Sequence, residues 1–131
     1  MNTIAAGTKH EEKCLVTGEN AINFMGLDGP RVLATPWMIA YMEMTCRNCA
    51  LPHLPEGFDT VGTEVHVKHL AATPLGMTVT FRAEVISVED RRVNFRVEAS
   101  DEKEKVGEGT HQRFIVNVER FKQRLREKAG P

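Results

Sequence analysis

The run "TPWMIAYMEMTCRNCALP" constrains the fold most, because Trp37, Met38, Ile39, Ala40, Tyr41, Met42 and Met44 leave no polar stripe across its first turns. Thr35 is a good helix-capping residue, Pro36 suits the first helical position and Pro52 cannot continue a helix, so the spacing predicts a helix over 35–51. A helix that is apolar on every side has to be buried. The rest of the chain must therefore supply its cover.

That cover reads as strands. From Gly62 onward the period drops to two: Met77, Val79, Phe81, Ala83 and Val85 alternate with polar residues, as do Val93, Phe95, Val97 and Ala99. "SVEDRR" between these runs is a hairpin turn, and "SDEKEK" is a second charged turn before a last strand over about 105–118. Gly107 and Gly109 in that strand point to a bulge or a close backbone approach. Ahead of the helix, "EEKCLVT" is a short strand candidate, and the Gly- and Pro-broken stretch after it is a loop with one helical turn near 21–25. Residues 119–128 form a terminal helix with Phe121 and Leu125 on one side and basic residues on a solvated face.

One buried helix followed by four strands with one wet face calls for a curled antiparallel β-sheet wrapped around the helix. This is the hotdog fold, an α+β roll. At 131 residues the chain is expected to be a single domain, 1–131. Its subunits are expected to pair as a homodimer or a higher oligomer, because one copy leaves the sheet edge and part of the helix uncovered.

Composition excludes several partners. A net charge of −1 offers no basic field for nucleic acid or an anionic membrane. No window approaches the roughly 20 apolar residues of a membrane span, and "MNTIAAGTKHEEK" lacks the basic and apolar parts of a secretory signal, so a cytoplasmic protein is expected. Three cysteines do not suggest a disulfide framework.

In the strand 61–69 the odd positions Val61, Thr63, Val65, Val67 and His69 share one face, and His66 shares the other with charged neighbours. Without a bulge, His69 points inward to the helix and His66 to water. His69 is then either a core histidine bonded to a carbonyl or a catalytic imidazole. Glu43, flanked by Ile39, Ala40, Met42 and Met44, finds no wet side on the helical wheel. A buried carboxylate needs a partner or a raised pKa, and the latter suits a general base. The alternative is a structural pair with Arg47 one turn on. Thr35 is a helix N-cap, a catalytic hydroxyl or both, and the first free amides, near Trp37 and Met38, form a positive site that can polarise a substrate carbonyl. Thr35 and Glu43 are eight residues apart, about 12 Å along an ideal helix, so their side chains do not meet on one helix. Either Thr35 lies in a loop that folds back or the site borrows residues from a second subunit, and a site at a dimer interface is the favoured expectation.

Cys46 and Cys49 form a C-x-x-C near the C-terminal end of their helix, where the dipole does not favour a redox thiolate, and only His53 stands near as a further zinc ligand. Buried thiols are the simpler reading, and no metal is expected. His10, His53 and His111 carry no spacing that implies a ligand cluster.

The segments "VLATPWMIAYMEMTC", "GTEVHVKHLAATPLGMTVTFRAEV" and "GEGTHQRF" resemble the fluoroacetyl-CoA thioesterase family within the hotdog acyl-CoA thioesterases, over most of the chain from about residue 32. The resemblance implies hydrolysis of an acyl-CoA to the free acid and CoA, with Thr35, Glu43 and His69 carrying the reaction and no cofactor beyond the CoA of the substrate. It also implies that Gly62 and Arg113 lie near the acyl or CoA portion. Members specific for fluoroacetyl-CoA carry a longer, aromatic lid before the helix, whereas "MGLDGPRVLATP" is short, so the implied substrate class is a short-chain acyl-CoA or another small thioester. The rival reading is a noncatalytic acyl-CoA or small-ligand binding module. A hotdog dehydratase would carry an Asp followed five residues later by His, and no Asp here has that partner.

Overall fold

In the computed structural model, which describes residues 4–26 and 28–131, strand β1 (Lys9–Leu15) precedes helix α1 (Thr35–Ala50) and a short 3-10 turn, Leu51–His53. Strands β2 (Phe58–His69), β3 (Thr78–Glu89), β4 (Arg92–Ser100) and β5 (Lys105–Asn117) follow, and helix α2 (Val118–Ala129) closes the chain. The strands form one antiparallel sheet in the order β1-β3-β4-β5-β2, so β1 and β2 are its edges. This is the expected hotdog roll, with β1 shifted two residues toward the N-terminus from "EEKCLVT".

The alternation in β3 and β4 builds the inner face. Val79, Phe81, Ala83 and Val85 in β3, with Val93, Phe95, Val97 and Ala99 in β4, are all essentially inaccessible to solvent. They pack with Met38, Met42, Cys46 and Cys49, which recur every three to four residues and line one face of α1. The polar residues between them cover the outer face, where Arg82 meets Glu11 at 3.0 Å and Arg96 meets Glu84 at 3.5 Å. The β3–β4 hairpin closes through Asp90, whose φ of 58° lies in the left-handed region that a short polar side chain tolerates. Asn117 caps α2 by accepting from the Arg120 amide.

The helix is not buried all round, as its composition suggested. Trp37 is 45% and Met44 53% exposed, because β2 is an edge strand and the sheet covers only one side of α1. Gly107 explains how closely that covered side approaches: a Cβ there would stand 2.7 Å from Met38 Sδ and 3.1 Å from Met42 Cε. Its bare backbone lets the first half of α1 settle onto β5. Gly109 likewise leaves no room for a side chain beside the His66 carbonyl. Both glycines therefore mark close approach, and the β2–β5 bulge falls elsewhere, between Gly62 and Glu64.

Candidate active site

The bulge decides which residues of β2 face inward. With Thr63 as the extra residue, Thr60 and Gly62 face the helix before it and Val65, Val67 and His69 after it, opposite Ile115, Arg113, His111, Gly109 and Gly107 of β5. The expected inward positions Val61 and Thr63 are thus corrected to Thr60 and Gly62. His69 lies beyond the bulge and keeps its inward orientation. His66 points out, 71% exposed at its side chain, beside Glu64 at 3.6 Å.

Thr35 Oγ1 and His69 Nδ1 are 2.7 Å apart, a strong hydrogen bond joining the start of α1 to the end of β2. His69 Nε2 is buried and has no hydrogen-bond partner among the described residues. Thr35 is not the N-cap. Ala34 occupies that position, Thr35 is already helical, and its hydroxyl serves His69 instead of the helix end. The Met38 amide donates to the Ala34 carbonyl at 3.0 Å, which removes one of the two amides expected to be free and leaves that of Trp37 as the candidate. The Trp37 ring itself rests against Tyr41, centroids 5.9 Å apart.

Glu43 sits two turns further on, in a second cluster. Its carboxylate faces Arg113 Nη1 at 3.7 Å and His111 Nε2 at 4.0 Å. It is not dry, as the helical wheel implied, since its side chain is 41% exposed even though it packs beside Gly62 of β2. Nor does it pair with Arg47, which reaches Asp59 through two bonds of 3.0 and 2.6 Å. That fork holds the Asp59 carboxyl below the usual carboxylate range. Gly62 makes space for Glu43, because a Cβ on it would stand 2.6 Å from Glu43 Oε1. Arg113 lies beneath, 7% exposed at its side chain, and does not reach out to solvent. Its Nε donates to Thr60 Oγ1 at 2.7 Å and its Nη2 to the Thr60 carbonyl at 2.9 Å.

His111 is the residue that sequence reasoning missed. It shares the inward parity of Arg113, two positions away on β5, and that alternation was the signal available. Cys46 and Cys49 are buried, unbridged thiols, and burial raises the pKa of both, as the simpler reading held. Among the described residues no group of three or more His, Cys, Asp and Glu side chains is arranged to hold a metal ion.

Residues 16–119 match the profile of the fluoroacetyl-CoA-specific thioesterase family. The chain belongs to that family. It is 43% identical over 99 residues to the fluoroacetyl-CoA thioesterase of Streptantibioticus cattleyicolor, covering 76% of this chain and 71% of that one. A solved fluoroacetyl-CoA thioesterase superposes with a TM-score of 0.87 at 34% identity, covering 97% of this chain and 98% of the other. A thioesterase superfamily member from Thermus thermophilus gives 0.85 at 34% identity, over 98% and 97% of the two chains. By family, then, this is a hotdog-fold thioesterase. Among the described residues no helix is long and apolar enough to cross a membrane.

Burial also lowers the pKa of both His69 and His111, most directly by penalising their charged forms. The unfolded chain, whose histidines titrate near about 6.5, then binds more protons than the folded one below that pH, so stability falls on acidification. Thermal unfolding should accordingly show a lower Tm at about pH 5.5 than at about 7.5, before most carboxylates begin to titrate. Equal midpoints at the two pH values would contradict the burial of these imidazoles.

Proposed function

We propose that the protein hydrolyses a small acyl-CoA thioester to the free acid and CoA, at a site completed by two copies of the chain. The observation that carries this reading is the Thr35–His69 hydrogen bond in the first turn of α1, two residues from the Trp37 amide. A thioester carbonyl directed at the Trp37 amide would lie beside that hydroxyl and imidazole, with the positive end of the helix facing the developing oxyanion. His69 moves the proton. Glu43 activates water as general base or attacks as nucleophile, and Thr35 orients the thioester or attacks it. Water is the only co-reactant such a hydrolysis needs, and with a carboxylate, an imidazole and a helix amide to activate and stabilise the reacting groups the proposed route calls on no metal or redox cofactor.

Within one copy the Thr35–His69 pair and Glu43 stand at two places along α1, separated by about 12 Å of axis. A homodimer joined through β2 removes that separation. Residues 62–66 of this edge strand are all exposed, as are Trp37 and Met44 on the adjacent helix flank. Pairing β2 antiparallel with a second copy about a centre near Val65 and His66 brings Gly62 and Glu43 of one copy toward His69 of the other. The unbridged thiols suit a reducing compartment, and we place the enzyme in the cytoplasm.

Thiol release from CoA esters bearing short, branched and aromatic acyl groups tests the reaction, with sedimentation of the same sample testing the assembly. Release from at least one small ester by a dimeric species is expected. Tight binding of every ester without release would identify a binding module instead, and turnover by a strict monomer would refute the shared site.

A further inference from the structure

The Glu43 carboxylate is reached by a short relay of fixed groups that starts at the β2 bulge. His111 Nδ1 lies 2.8 Å from the Glu64 carbonyl oxygen. A carbonyl only accepts, so Nδ1 carries a proton. On the other side of the ring, Arg113 Nη1 stands 3.1 Å from Nε2. A guanidinium only donates, so Nε2 is the bare acceptor. The two partners together admit one state of the ring, the neutral Nδ1–H tautomer. Phe95 of β4 backs the imidazole in a stacked arrangement, centroids 6.3 Å apart, and the His111 side chain is 1% exposed.

The guanidinium is pinned in turn. Thr60 takes Nε and Nη2, His111 takes Nη1, and the outer edge of Nη1 is presented to Glu43 at 3.7 Å. His111 is too deeply placed to meet an acyl group, and its own distance to Glu43, 4.0 Å, exceeds a hydrogen bond. Its effect on the carboxylate passes through Arg113.

We propose that His111 is a positioning residue of the thioesterase centre: anchored to the Glu64 carbonyl and accepting from Arg113 Nη1, it fixes the guanidinium against Glu43 and so sets where the carboxylate points. The inference rests on the reading of Glu43 as the reacting carboxylate. It gives His111, Arg113 and the bulge a joint role that none has alone.

Two substitutions differ in what they keep. In His111→Gln the side-chain oxygen reaches the place of Nε2 and still accepts from Arg113, whereas in His111→Asn it falls short. His111→Asn is expected to lower kcat for thiol release about tenfold or more with KM within about twofold, and His111→Gln to recover most of that loss. Nitrogen-15 spectra give a readout independent of turnover. The wild type should show a protonated Nδ1, an unprotonated Nε2 and separate Arg113 Nη signals from hindered rotation, which merge in His111→Asn and persist in His111→Gln. A wild-type ring protonated at Nε2 overturns the proposal even if His111→Asn does not fold, and so does a folded His111→Asn with unchanged kcat and unchanged Arg113 signals. If the wild type releases no thiol from any ester, the hydrolase reading fails separately, while the Arg113 signals still decide the role of His111.

Discussion

Glu43→Gln is expected to lower kcat for thiol release by about 10³-fold, within the range that loss of a general base or nucleophile produces. The amide keeps the volume of the carboxylate and an oxygen for Arg113 Nη1, so the space beside Gly62 stays filled. What it loses is the charge and the basic lone pair. Because the side chain is partly exposed and Arg113 retains Thr60 and His111 as partners, the fold should be little disturbed. Steady-state thiol release, with thermal unfolding as the control, measures this. A variant that retained more than about a tenth of wild-type kcat would remove Glu43 from the chemistry. The loss should also exceed that of His111→Asn, since displacing a carboxylate leaves some of its function and deleting it leaves none.

Phe95→Ala carries the largest expected effect on stability, about 3–5 kcal/mol. Its ring is fully buried in the centre of β4, within the cluster that joins β3 and β4 to α1, and it also backs the His111 imidazole. Truncation removes apolar burial and leaves a cavity in a sheet whose flanking strands cannot collapse inward. For a chain of this length the midpoint of thermal unfolding should fall by on the order of 10–20 °C. A fall of only a few degrees would mean that the inner face is less tightly packed than the structure has it.

Much of this protein is legible along the chain because its periodicities are strong. The apolar residues of β3 and β4 recur every second position over runs long enough to exclude a helix, and all of them lie on the buried face. The capping and proline signals bound the helix to within one residue of its end, and the inward orientation of His69 agrees with its parity. Other readings and alternatives differ from the structure for physical reasons. The wheel of α1 has no polar stripe, but a helix beside an edge strand is covered on one side only, which leaves Met44 and part of Glu43 open. Arg47 sits one turn from Glu43, yet Asp59 offers it a bidentate fork that an i,i+4 neighbour does not. Thr35 has the chemistry of an N-cap, yet its hydroxyl gains a stronger partner in His69.

Local sequence determined the elements, their inner faces and the residue types able to do the chemistry, because propensity and periodicity act over neighbouring positions. Tertiary structure alone decided which of those residues meet. A single extra residue at Thr63 reverses the parity of β2 and turns Gly62 toward Glu43, while the bare backbone at Gly107 lets α1 approach closely enough to accompany the contact of Thr35 with His69. The Arg113–His111 relay depends on pairing between strands some fifty positions apart, since Arg113 bonds Thr60 and His111 bonds Glu64 across the β2–β5 ladder. No pattern confined to one segment records such a pairing, because its energy exists only when the sheet has closed.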